Sequence, residues 1–151
     1  MKSKSINLGL IGAGTWGSNF IKTIEKVEEI KLIGISTKSG ILKKDYIFGN
    51  NFKIYKDWKE LVLKNNIDGV IIASPADTHF EILKFCINLG LPCIVEKPTT
   101  LKVSQAKYIY ELAKKNKSIV LVDHIHLFHP AFKELKKIAH EAENIIAINS
   151  V

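Results

Sequence analysis

The sequence predicts an α/β fold, a doubly wound parallel sheet with helices on both faces. Three observations lead there. Short apolar runs alternate with longer amphipathic stretches along nearly the whole chain. That is the strand–helix–strand order a parallel sheet requires. The apolar runs are almost unbroken Ile, Val and Leu, as strands buried on both faces should be. A glycine cluster, Gly12-Ala13-Gly14-Thr15-Trp16-Gly17, stands directly after the first run.

The elements follow in order. Ile6–Ile11 reads as the first strand and residues 15–26 as the first helix, with Trp16, Phe20, Ile21 and Ile24 at helical spacing. Residues 30–35 form the second strand. Residues 39–52 show no clear pattern beyond a turn at Gly49-Asn50-Asn51. Lys53–Tyr55 reads as a short third strand. Asp57 and Glu60 have capping-box spacing, opening a helix through Lys64. Residues 69–73 are the fourth strand. A helix over residues 78–89 is closed by Gly90 ahead of Pro92. Cys93–Glu96 is the fifth strand, residues 104–116 a helix, and residues 119–123 the sixth strand. Pro130–Glu141 is a helix with proline in its first turn. Residues 145–151 are a last strand candidate. No repeat, low-complexity tract or linker interrupts the pattern.

The 151 residues suffice for one domain with a real core and are too few for two. No apolar run approaches a membrane span, and residues 1–5 begin no signal-peptide pattern. Cys86 and Cys93 have neither metal nor redox spacing and read as buried thiols of a cytoplasmic protein. The net charge is +7, but all 22 basic residues are lysine and they are spread along the chain. Without arginine to grip phosphates or bases, the charge reads as solvated faces and not as a nucleic-acid surface.

The glycines now have a context: they follow a strand and open a helix. Gly12 permits the tight turn, Gly14 lets the backbone approach a pyrophosphate, and Gly17 lets the helix pack closely. The helix-start amides, with Thr15 and Trp16 beside them, would hold the phosphates of a dinucleotide. The alternative is a tight turn with no ligand. NAD-binding folds tend to carry an acid at the end of the second strand. Here that stretch is Ser36-Thr37-Lys38, with two hydroxyls and a lysine suited to a 2′-phosphate. This favours NADP(H) over NAD(H); the alternative is that these are ordinary loop residues.

Three further stretches lie at predicted carboxyl ends of strands, where open parallel sheets bind ligands. They are Ala73-Ser74-Pro75-Ala76-Asp77-Thr78-His79, Glu96-Lys97-Pro98, and Val122-Asp123-His124-Ile125-His126-Leu127-Phe128-His129-Pro130. In this order after the glycines they resemble the Gfo/Idh/MocA family of nicotinamide-dependent oxidoreductases, over nearly the whole chain. The resemblance implies a Rossmann domain in which Lys97 assists catalysis near the nicotinamide. An ammonium beside a reacting C–O group can stabilise developing negative charge. Taken alone, Lys97 would be an ordinary surface lysine. Pro98 would fix the chain after it, often through a cis bond in that family. The resemblance also implies that Ala73, Ser74, Pro75, His79, Glu96 and Pro98 line the cofactor. For His79 the alternative is a structural bond at a helix start.

The chain departs from the family in two ways. Asp123 stands where many members have glycine and Leu127 where they have arginine, so no arginine contact carries over. His124 and His126 are candidate substrate contacts, with hydrogen-bonded histidines of a connecting segment as the alternative. With His129 they make an H-x-H-x-x-H cluster, but nothing beyond Asp123 completes a metal site, and none is expected. The second departure is length. Family enzymes carry a second α+β domain that supplies most of the substrate site. The expected division is therefore a dinucleotide-binding domain over residues 1–123, then a connecting segment, helix and first strand of an incomplete substrate domain over 124–151. The chain reads as a fragment or shortened form.

The expected function is an NAD(P)-dependent oxidoreductase. It would move a hydride between nicotinamide and a secondary alcohol or carbonyl carbon of a sugar, nucleotide sugar or cyclitol. These 151 residues alone are expected to turn over poorly. A sugar-like small molecule is the expected partner, with no membrane and no nucleic acid, and a homo-oligomer in a full-length form. The alternative is a non-catalytic dinucleotide-binding module, a sensor or subunit of a larger assembly.

Overall fold

The computed structural model describes residues 5–40, 42 and 52–141. The candidate strand at 145–151 and the turn at 49–51 lie outside the described residues. Among the described residues six strands form one parallel sheet: β1 (Ile6–Ile11), β2 (Ile30–Ser36), β3 (Lys53–Tyr55), β4 (Gly69–Ile72), β5 (Cys93–Glu96) and β6 (Val120–Asp123). Their spatial order is β3-β2-β1-β4-β5-β6. The order reverses between β1 and β4. That switch point opens a crevice outside the carboxyl ends of the strands.

The described residues also form five α-helices: α1 (Thr15–Ile24), α2 (Trp58–Lys64), α3 (His79–Asn88), α4 (Val103–Asn116) and α5 (Pro130–Glu141). Successive strand side chains point to opposite faces, so β1, β2, β4 and β5 each feed two cores. On one face Val70, Ile72 and Val95 pack with Leu61, Leu83, Cys86, Ile87 and Ile109 of α2, α3 and α4. On the other, Leu10, Leu32, Ile35 and Ile71 pack with Ile21 and Ile24 of α1. Burying a side chain such as Leu83 or Ile87 in full stabilises the fold by about 1.5–3 kcal/mol. Cys86 and Cys93 are both buried free thiols. The neighbouring Cys86 thiol, with burial, pushes the Cys93 thiol well above its ordinary range.

Local chemistry sets the helix ends. The Asp57 carboxylate accepts from the Lys59 amide at 2.9 Å and starts α2. Its expected capping-box partner, Glu60, instead reaches forward to Lys64 at 2.8 Å. Gly90, at φ +72°, turns the chain after α3, and the Leu91 amide returns to the Cys86 carbonyl at 3.0 Å. The helix expected to begin at Thr78 begins at His79, behind a 3₁₀ turn over Ala76–Thr78. α5 buries none of its residues. Among the described residues no helix is long and apolar enough to cross a membrane.

Candidate functional site

The loops after β1, β2 and β4 are laced together at the switch point. The Gly12 amide donates to the Ser36 carbonyl at 2.8 Å, and the Ala73 amide donates to the Ile11 carbonyl at 2.8 Å. Gly12 has φ +94°, and a Cβ there would stand 2.5 Å from both the Ala73 carbonyl oxygen and the Ser74 nitrogen. Only glycine suits that conformation and that space. A Cβ on Gly17 would run into the Gly12 carbonyl oxygen, so this residue seats α1 against the turn.

Gly14 differs. It lies before α1 with no side-chain cap, and a Cβ there would meet nothing within 4 Å. The amides of the first helical turn, at Thr15, Trp16 and Gly17, have no acceptor within an α-helix. The first turn of α1 carries no acidic residue. An uncapped helix start without negative charge, facing open space, fits the phosphates of a dinucleotide.

Of the residues after β2, Ser36 is buried, Thr37 half-buried and Lys38 exposed. The Thr37 amide donates to the Tyr55 carbonyl at 2.9 Å, which ties this loop to β3. After β4, Ala73 abuts the glycine turn, while Pro75 is exposed. The Thr78 hydroxyl donates to the Pro75 carbonyl at 2.6 Å, and the Ser74 hydroxyl then donates to Thr78 Oγ1 at 2.7 Å. His79 is only 1% exposed. Its Nδ1 lies 2.9 Å from the Pro98 carbonyl oxygen and its Nε2 2.8 Å from that of Ser74.

Trp16, Glu96, Lys97, Asp123, His124 and His126 converge on one cleft of about 350 Å³, walled by Ile125, Leu127 and Phe132. Three separate loops thus meet there. The Lys97 ammonium lies 5.5 Å from the centre of the Trp16 ring, within cation–π range. The Lys97 amide donates to Glu96 Oε2 at 3.2 Å, and the Lys97–Pro98 peptide is cis. Glu96 is buried and is paired in register with Asp123 of the next strand. Burial first, and the Asp123 charge second, raise the Glu96 carboxyl above the ordinary glutamate range; the bond from the Lys97 amide opposes this.

A larger concavity of about 460 Å³ lies at the amino ends of the strands, lined by Ile6, Leu8, Pro92 and Ile119. It is apolar and lies at the end of the sheet opposite the glycine loop, so it has no part in this chemistry. Of the three clustered histidines, His124 and His126 face the cleft. His129 instead accepts from the Ala131 amide at 3.2 Å and caps α5. Among the described residues no group of three or more His, Cys, Asp or Glu could hold a metal ion.

Sequence reasoning noted Asp123 only as a departure and gave it no role at the site. One signal was available: Glu96 and Asp123 both close predicted strands that follow one another in a parallel sheet. Phe132 reaches the cleft from α5, and no local pattern marks it.

The Rhizopine catabolism protein MocA of Rhizobium meliloti is 25% identical over 129 residues, which cover 85% of this chain and 40% of that protein. Myo-inositol 2-dehydrogenase of Thermotoga maritima is 27% identical over 133 residues, covering 87% of this chain and 40% of that protein. The chain thus spans about two fifths of the length of these curated relatives. Its fold matches that of scyllo-inositol dehydrogenase from Lactobacillus casei, solved with bound NAD(H) and scyllo-inositol. The TM-score is 0.79 at 20% identity, over 91% of this chain and 42% of that one. The family described as GFO_IDH_MocA, an oxidoreductase family with an NAD-binding Rossmann fold, matches residues 6–124, and this chain belongs to it.

Proposed function

We propose that this domain binds NADP(H) in preference to NAD(H) and serves oxidoreduction of a secondary alcohol or carbonyl carbon in a polyol such as a sugar or cyclitol. The observation that carries this reading is the junction of two loops. Lys97 Nζ stands 5.5 Å from the ring centre of Trp16, which lies in the first turn of α1, directly after the glycine turn. The turn suited to pyrophosphate and the lysine suited to a reacting oxygen thus share one cleft.

The open space at Gly14 and the uncapped start of α1 fit the phosphates. Lys38, exposed at the end of β2, is the residue assigned to a 2′-phosphate, with Thr37 beside it; buried Ser36 supports the turn through its carbonyl. A bound nicotinamide would supply the hydride donor or acceptor. Lys97 would then stabilise negative charge on the substrate oxygen. His124 and His126, on the cleft wall, would contact substrate hydroxyls. The division at residue 123 remains part of the proposal, with residues 124 onward leading into the substrate-binding part of a longer protein. The cyclitol assignment is supported by the inositol dehydrogenases among the relatives.

The test is a fluorescence titration of the purified chain and its Lys38→Ala variant with NADPH and NADH. Tighter NADPH binding, lost in the variant by about tenfold, is expected for one charge-assisted phosphate contact. Tighter NADH binding would overturn the cofactor preference. Binding of neither would overturn the dinucleotide reading of this chain.

A further inference from the structure

His79 sits where two loops of the site meet. It is the first residue of α3 and almost fully buried. Its ring bridges the Ser74 carbonyl, in the loop after β4, and the Pro98 carbonyl, in the loop after β5. Carbonyl oxygens only accept, so a ring nitrogen bonds its carbonyl only when it carries a proton: the neutral ring donates to one of the two carbonyls and the imidazolium to both. The effect on Lys97 follows from the chain. Lys97 is held on one side by its own amide on Glu96 Oε2 and on the other by the Pro98 carbonyl on His79. Ser74 is held twice as well, through its carbonyl by His79 and through its hydroxyl by Thr78.

We infer that His79 is a positioning residue: it locks the Ser74 loop to the Lys97-Pro98 loop and so shapes the nicotinamide end of the cofactor site without touching the cofactor. The inference rests on the dinucleotide reading above. It differs from a lining role, because the ring is almost fully buried and both of its nitrogens lie against backbone carbonyls. It also differs from a general packing role. Both ring contacts go to backbone of site loops, and a small displacement of such loops weakens what they orient.

The test compares two ligands that share the adenosine and pyrophosphate but differ at the nicotinamide: NADH and ADP-ribose. Their affinity ratio is measured by titration for the wild-type chain and for His79→Asn, His79→Gln and His79→Leu. Asparagine keeps a donor near the Nδ1 position and glutamine near the Nε2 position; neither spans both, and leucine has none. The ratio of NADH to ADP-ribose affinity is expected to fall about threefold in the Asn and Gln variants and about tenfold in the Leu variant. A general loss of structure would weaken both ligands together and leave the ratio unchanged. If the Leu variant does not fold, the Asn and Gln variants decide. A ratio within about twofold of wild type in every folded variant overturns the inference. So does a wild-type chain that binds both ligands equally. A wild-type chain that binds neither fails earlier, at the dinucleotide reading itself.

Discussion

Gly12 and Gly14 stand two residues apart in one loop, yet alanine should act on them in opposite ways. At Gly12 the backbone has φ +94°, and the added Cβ lies 2.5 Å from the Ala73 carbonyl oxygen and the Ser74 nitrogen. The conformation costs a non-glycine residue about 1–3 kcal/mol. The overlap is with backbone and cannot be relieved by a rotamer change, which adds about 1–3 kcal/mol. Gly12→Ala should therefore lose roughly 2–6 kcal/mol from a domain whose total stability is of order 5–15 kcal/mol. At Gly14 the backbone has φ −74° and the Cβ meets nothing. Alanine there should cost no more than about 1 kcal/mol, as a poorer helix cap. It should instead weaken NADH binding, because the methyl fills the space left for the pyrophosphate. Urea denaturation gives the first comparison and fluorescence titration the second. The reasoning fails if the two variants lie within about 0.5 kcal/mol of each other, a difference at the limit of surface substitutions. It also fails if Gly14→Ala binds NADH as wild type does.

Two further outcomes are expected. The folded state raises the Glu96 carboxyl above its ordinary value, so its contribution to stability is complete below the ordinary carboxylate range and is lost as pH rises through the raised value. Glu96→Gln, always neutral, should gain in melting temperature relative to wild type as pH rises above the ordinary glutamate range; a flat or falling difference would contradict the burial argument. Asp57→Ala removes the acceptor 2.9 Å from the Lys59 amide. It should cost about 1 kcal/mol and lower the melting temperature by about 2–4 °C in a thermal scan; an unchanged melting temperature would mean that water caps α2 equally well.

Much of this molecule was legible in its local patterns. Ile6–Ile11, the glycine turn and α1 follow from residues close together in the chain, since apolar period and glycine placement act over a few residues. Gly12 is the sharpest case: its need for glycine was read from its place between strand and helix. The Asp57 cap and the Gly90 stop belong to the same class, each satisfying backbone groups of its own helix. Less legible was the choice a side chain makes among competing partners, even near ones. Glu60 had capping-box spacing but pairs with Lys64. The H-x-H-x-x-H spacing suggested one cluster, but His129 caps α5 while His124 and His126 face the cleft.

The amino-acid order alone therefore specified a parallel sheet, its strand sequence and the end of it where the glycine turn lies, because burial pattern and turn residues are short-range properties. Packing settled the rest. Strand register set Asp123 beside Glu96, 27 positions away in the chain. Close approach of the turns gave Trp16 its place against Lys97 and buried the His79 ring between two carbonyls. Such contacts arise from the relative placement of whole strands and helices, and a side chain's partner across that distance is written in no window of sequence around it.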